Sequence, residues 1–156
     1  MEFSAFKCIV SQRLSDVCQQ YWHNDVNSSS QCIVYRIFKQ KLEFETYLIK
    51  LNPADRKVFC RFRCLNNKLP IVTGRYANVP RGDRLCEYCS LNQIGDEFHY
   101  LFQCPVFDNY RKQALKKYFW KSPNVYKMDL LYNNSQRSVI LRLVKFCKEI
   151  MDFFDK

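Results

Sequence analysis

The sequence predicts a mostly α fold, a small helical domain, and three observations carry that prediction. Glycine is scarce, with 3 in 156 residues, and there are only 5 prolines. The many tight turns of a multi-stranded sheet are therefore not provided for. Apolar residues recur at steps of three and four along several stretches, which is the spacing of one helix face. Finally, 156 residues suit a single helical domain, 1–156, able to withdraw roughly two thirds of its unfolded surface from water.

Taken in order, residues 3–22 read as a helix, with Phe3, Phe6, Val10, Leu14, Val17 and Tyr21 on one stripe and Trp22 and His23 closing it. His23 has no companion Cys or His at ligand spacing and reads as a surface or capping residue. Residues 24–31, NDVNSSSQ, are polar and read as a loop. A short helix is expected within 32–41, while 44–51 fits helix or strand equally well. Asn52-Pro53 marks a helix start, with proline at or near the first helical position.

The helix that follows, 54–67, is the most informative one. Val58, Phe59, Phe62, Leu65 and Leu69 gather on one face, and Arg56, Lys57, Arg61, Arg63 and Lys68 are assigned to the opposite side and its flanks. Cys60 and Cys64, one turn apart, read as packed positions or as half of a metal site with no visible second half. Residues 66–76 are expected to break the helix and lead through Gly74 into an extended basic link ending at Pro80-Arg81-Gly82. Beyond residue 105, helices are expected over 107–120, 125–132 and 135–154. Ser135 can cap the last of these, and Val139, Leu143, Phe146, Ile150 and Phe153 form its core face.

Between the basic helix and the C-terminal helices lies Arg81–Pro105, RGDRLCEYCSLNQIGDEFHYLFQCP. Cys86, Cys89, His99 and Cys104 are spaced C-x2-C-x9-H-x4-C. Three thiols and one imidazole complete the ligand set of one tetrahedral zinc and leave no position open for substrate. The alternative is a group of buried thiols and a core histidine that are merely neighbours. On the metal reading the fold is a helical domain with an inserted zinc knuckle, and the one Zn2+ is structural. Asp96 is placed to cap the turn that presents His99. Glu97 suits either helix-end charge complementarity or acceptance of an imidazole N–H. A zinc deaminase is excluded, because Glu precedes His and the C-x2-C half comes first. The nine-residue gap also separates this pattern from the short retroviral knuckle.

The formal net charge is +10. From Ala54 to Arg84 eight Lys/Arg face two Asp, a local excess of +6 directly before the first ligand, with few acids for helical i,i+4 pairing. Such an excess points to a polyanion, nucleic acid before an anionic membrane surface. The competing reading is a solvated helix face. Nine cysteines, an odd number, suit a reducing compartment. The first residues lack the layout of a signal peptide, and no stretch approaches the ~18 apolar residues of a membrane helix. An intracellular protein is expected, nuclear or cytoplasmic, with no membrane partner.

Helix-RFR, GRY, R-x2-R-x-C-x2-C, then E-x-H-x-L-x2-C-P and Tyr-Arg together resemble the C-terminal segment of non-LTR (LINE-like) retrotransposon polyproteins, downstream of the reverse transcriptase domain. The matching positions are Arg61, Arg63, Gly74, Arg75, Tyr76, Arg81, Arg84, Cys86, Cys89, Glu97, His99, Leu101, Cys104, Pro105 and Arg111. The resemblance spans about Ala54 to Lys117. It implies zinc ligation by Cys86, Cys89, His99 and Cys104 in a nucleic-acid-binding part of a larger enzyme. The chain departs from a whole element of that kind: it has no Asp-Asp and no clustered carboxylates for two-metal phosphoryl transfer. It reads as the detached tail of such an element, not itself an enzyme, with no catalytic residues.

The expected partner is RNA or DNA, held through phosphates by Arg61, Arg63, Arg75, Arg81, Arg84, Arg111 and Lys112. Tyr76 and Tyr88 are candidates for stacking on unpaired bases or for packing over the knuckle. A reverse transcriptase body is a second expected partner. The competing functions are a structural or protein-interaction zinc module and an inert retroelement remnant.

Overall fold

The computed structural model describes residues 3–156; the side chain of Phe3, first on the expected N-terminal stripe, lies outside the described residues, as do Met1 and Glu2. The described residues form ten α-helices and two 3-10 turns, with no named strand, so the mostly α expectation is met. Contacts divide the chain into two compact units, one ending at Phe44 and the other beginning at Glu45.

The first unit is built on α1 (Phe3–Ser28) and α2 (Tyr35–Phe38). Helix α1 runs through residues 24–28, which the sequence assigned to a loop. Its last turn is held by Val26, which is buried, and by the Arg36 guanidinium, which donates to the Asn27 carbonyl at 2.9 Å. That bond satisfies one of the carbonyls a helix end leaves without a partner. The apolar stripe of α1 stays in solvent, with Leu14 61% and Tyr21 67% exposed. His23 is exposed too and lies edge-on to Trp22.

The second unit contains α3 (Tyr47–Lys50), α4 (Pro53–Arg63), α5 (Pro70–Tyr76), α6 (Glu97–Phe102), α7 (Asp108–Ala114), α8 (Lys117–Trp120), α9 (Val125–Tyr132) and α10 (Arg137–Phe154). Helix α10 is its spine, packed chiefly on α4 and α7. Val139, Leu143, Phe146 and Ile150 are buried as expected. So are Ile140, Val144, Cys147 and Met151, so the buried face is about twice as wide as the single stripe suggested. Ser135 does not cap this helix; Gln136 holds the cap position without a side-chain hydrogen bond, and the Ser135 carbonyl accepts from Lys50 Nζ.

Helix α4 starts as its sequence dictates. Asn52 Oδ1 accepts from the Asp55 backbone N–H at 2.9 Å, and Pro53 occupies the first turn. It stops earlier than residue 67. Leu65 adopts a left-handed φ of 52°, and the Asn66 N–H returns to the Arg61 carbonyl at 2.9 Å. This closing turn usually takes glycine. Here leucine accepts the conformation because it buries its side chain there.

Two further expectations are corrected. Residues 70–76, expected to break the helix and lead through Gly74 into an extended link, are themselves helical: Pro70 starts α5, and Ile71 and Val72 are buried. The expected helix over 107–120 breaks at Leu115, whose extended backbone lets its side chain bury; its carbonyl accepts from Trp120 Nε1 at 3.3 Å.

Candidate metal centre and its arginine clamps

The knuckle is a short antiparallel hairpin. Leu85 bridges Ile94, Gly95 N–H donates to the Arg84 carbonyl at 2.8 Å, and Cys86 N–H donates to the Gln93 carbonyl at 2.9 Å. Cys86 and Cys89 therefore sit in its turn region. Gly95 at the hairpin's return is needed for space, since a Cβ there would lie 2.8 Å from both Pro70 Cγ and Tyr100 Oη. The other two donors come from α6. The Asp96 carboxylate caps that helix by accepting from the His99 N–H at 3.0 Å, as its position predicted. The chain then turns back, and the Cys104 N–H donates to the His99 carbonyl at 2.8 Å.

These turns bring the donor atoms of Cys86, Cys89, His99 and Cys104 within 4.8 Å of one another. Cys89 Sγ lies 3.4 Å from His99 Nε2. With Zn–S of about 2.3 Å and Zn–N of about 2.0 Å, a tetrahedral ion places its donors roughly 3.5–3.8 Å apart, so the four fit one zinc with little movement. Cys86, His99 and Cys104 are buried, and only Cys89 is partly open. Burial lowers the His99 pKa, which favours the neutral, ligating imidazole. Burial, reinforced by the neighbouring sulfurs of Cys86 and Cys89, pushes the Cys104 thiol up to about 12. A dication among the sulfurs reverses that preference and favours thiolate. Cys60 and Cys64 are not part of the group; Cys60 Sγ lies 3.2 Å from Tyr47 Oη.

Glu97 takes neither expected role. It is fully buried at the first position of α6, its two oxygens have no hydrogen-bond partner among the described residues, and burial lifts its carboxyl to about 8. A carboxyl raised in this way supplies less helix-end charge than an exposed one.

Three arginines expected on phosphates point inward instead. Arg111 is buried, and its guanidinium donates to the carbonyls of Leu101 (2.8 Å), Cys104 (2.6 Å) and Tyr100 (3.3 Å) and pairs with Asp108. It thereby closes the end of α6 and fixes the backbone of Cys104, one of the four candidate ligands. Arg63 is buried in an ion pair with Glu45, and its guanidinium carbon lies 5.3–5.4 Å from the ring centres of Tyr47, Phe59 and Tyr132. Arg84 donates to the carbonyls of Val79 (2.9 Å) and Ile71 (3.0 Å). Its stem crosses Gly74, where a Cβ would come 2.7 Å from Arg84 Cγ. A guanidinium has five donors in a fixed fork, so carbonyl-rich helix ends suit it as well as phosphate does.

The remaining expected contacts stay at the surface. Lys112 is exposed but shares Asp108, at 2.8 Å. Arg81 is 40% exposed and lies 3.9 Å from Asp96. Arg61 and Arg75 are half-buried; Arg61 Nε donates to the Asn66 carbonyl at 3.2 Å, and Arg75 lies over the exposed Tyr76 ring. Tyr88 packs edge-on against Phe153 and Phe154 while remaining partly exposed. The inward turn of Arg63 was open to sequence reasoning. Four residues after Phe59, it sits only about 40° round the helix from that core position. Arg111 gave no such local signal.

Comparison with protein-family models, with curated proteins and with solved structures gives no match in any of the three. Among the described residues no helix is long and apolar enough to cross a membrane.

Proposed function

We propose that the chain is a zinc-binding, nucleic-acid-binding module in which one structural zinc holds a basic helical surface in shape. The observation that carries the metal part is the convergence of three sulfurs and one imidazole nitrogen within 4.8 Å. All four positions of a tetrahedral ion are then taken by protein, so the metal organises the fold and activates no water. The nucleic-acid part rests on the formal net charge of +10, an excess that remains however the acids and bases pair within the fold. Its work is binding through phosphates, with no catalytic step.

The likeness to the tail of a non-LTR reverse transcriptase belongs to this proposal. Supporting it, residues that carry the likeness form one connected structure: Gly74 receives Arg84, Arg84 opens the hairpin of Cys86 and Cys89, and Arg111 closes the helix between His99 and Cys104.

Elemental analysis of the purified chain tests the metal, with one zinc per chain expected and its loss in Cys104→Ser. A salt titration of RNA and DNA binding tests the partner. A log–log slope near zero, or no binding at ~50 mM salt, overturns it. The second reading, a structural or protein-docking module, is favoured by the inward Arg63, Arg84 and Arg111. It predicts full zinc content and no oligonucleotide binding.

A further inference from the structure

The charge that the sequence placed around the basic helix is partly consumed inside the fold, and further positive charge lies exposed beyond that helix. Between Asp108 and Asp129 the chain has no acidic residue. Lys116, Lys117 and Lys121 lie there, all exposed, and none forms an ion pair among the described residues. Two exposed tyrosines lie on the same pair of packed helices, Tyr118 on α8 and Tyr126 on α9, 54% and 65% exposed.

The platform beneath them is firm. Phe119 of α8 and Leu115, just before that helix, are buried, and α8 packs on α9. Lys127 ties the two helices together. Its ammonium donates to the carbonyls of Lys121 (2.7 Å) and Ser122 (3.1 Å) and stands 4.8 Å from the centre of the Tyr118 ring. The Tyr118 side chain is thus held by a cation on one side, which reduces the entropy lost when a ligand stacks on it.

Resting on the reading that the chain binds nucleic acid, we infer that the α8–α9 surface is a single-strand binding site, with Tyr118 and Tyr126 as stacking platforms and Lys116, Lys117 and Lys121 as phosphate contacts. Exposed rings interleaved with lysines accept any base through its π-face, and only unpaired bases present one. A duplex offers this surface its phosphates alone.

The test uses the full chain and fluorescence anisotropy with a labelled ~15-nucleotide oligouridylate and a duplex of similar length, since such sites span ~4–16 nucleotides. Every variant is first checked for one zinc and unchanged helical content, which the surface positions should preserve. Tyr118→Ala with Tyr126→Ala should weaken single-strand binding at least about 10-fold and leave duplex binding and the salt slope unchanged. Lys116→Gln, Lys117→Gln and Lys121→Gln together should make the salt slope shallower by about 2. If the unaltered chain binds no oligonucleotide, the functional reading fails and this site with it. If it binds, but both variants match it while Arg61→Gln with Arg81→Gln loses affinity, the site is refuted and the functional reading stands. Loss in the lysine variant alone refutes the stacking.

Discussion

Arg111→Ala separates a surface role from an architectural one. In the folded chain the guanidinium serves the carbonyls of Leu101, Tyr100 and Cys104 and pairs with Asp108. Truncation orphans carbonyls in a buried helix end, at about 1–3 kcal/mol for each one left unsatisfied. Water can enter beside the partly exposed Asp108 and offset part of this. A net loss of about 3–5 kcal/mol is expected, in line with breaking a buried charged group's contacts. Against the ~5–15 kcal/mol stability of a typical domain, that is a large fraction. Because Cys104 loses the bond that fixes its backbone, zinc affinity should fall about 10–100-fold, as it does when a group that orients a metal ligand is removed. Urea unfolding of the zinc-loaded chain gives the first quantity, and chelator competition the second. Arg111→Lys should recover only part of both, since an ammonium cannot reproduce the fork. Unchanged unfolding and zinc affinity, together with weakened oligonucleotide binding, would refute the clamp and return Arg111 to the phosphate-binding set.

Arg63→Ala should destabilise the chain by about 3–5 kcal/mol, because it removes a buried guanidinium that pairs with Glu45 and packs among the rings of Tyr47, Phe59 and Tyr132, and should leave the salt slope of oligonucleotide binding unaltered. Gly95→Ala places a Cβ 2.8 Å from Pro70 Cγ and Tyr100 Oη and should cost about 1–3 kcal/mol in a thermal melt. Gly82→Ala, where a Cβ meets nothing within 4 Å, serves as its neutral control. Zinc removal by a strong chelator should lower the helical circular dichroism of the chain and release the Cys86, Cys89 and Cys104 thiols to a thiol reagent, with recovery on adding zinc back.

The parts of this protein legible in its sequence are those governed by neighbours within a few residues. Asn52-Pro53 starts α4 because its cap bonds span three residues, and Asp96 presents His99 for the same reason. The candidate ligand cluster was legible because all four side chains fall within 19 consecutive residues, so a hairpin and one helix suffice to gather them. Periodicity likewise gave the core stripe of α10. Tertiary structure decided where long polar side chains end. Arg63, Arg84 and Arg111 look alike as charges along a chain, yet each found acceptors that only the fold assembles: Glu45 from 18 residues away, the carbonyl of Ile71 from 13, and that of Leu101 from 10. An arginine carries an apolar stem and five donors, so it satisfies either solvent or a helix end, and local sequence cannot choose between them. The same dependence on non-local packing turned residues 70–76 into a helix under Arg84 and left Lys116, Lys117 and Lys121 as charge that the second unit does not use.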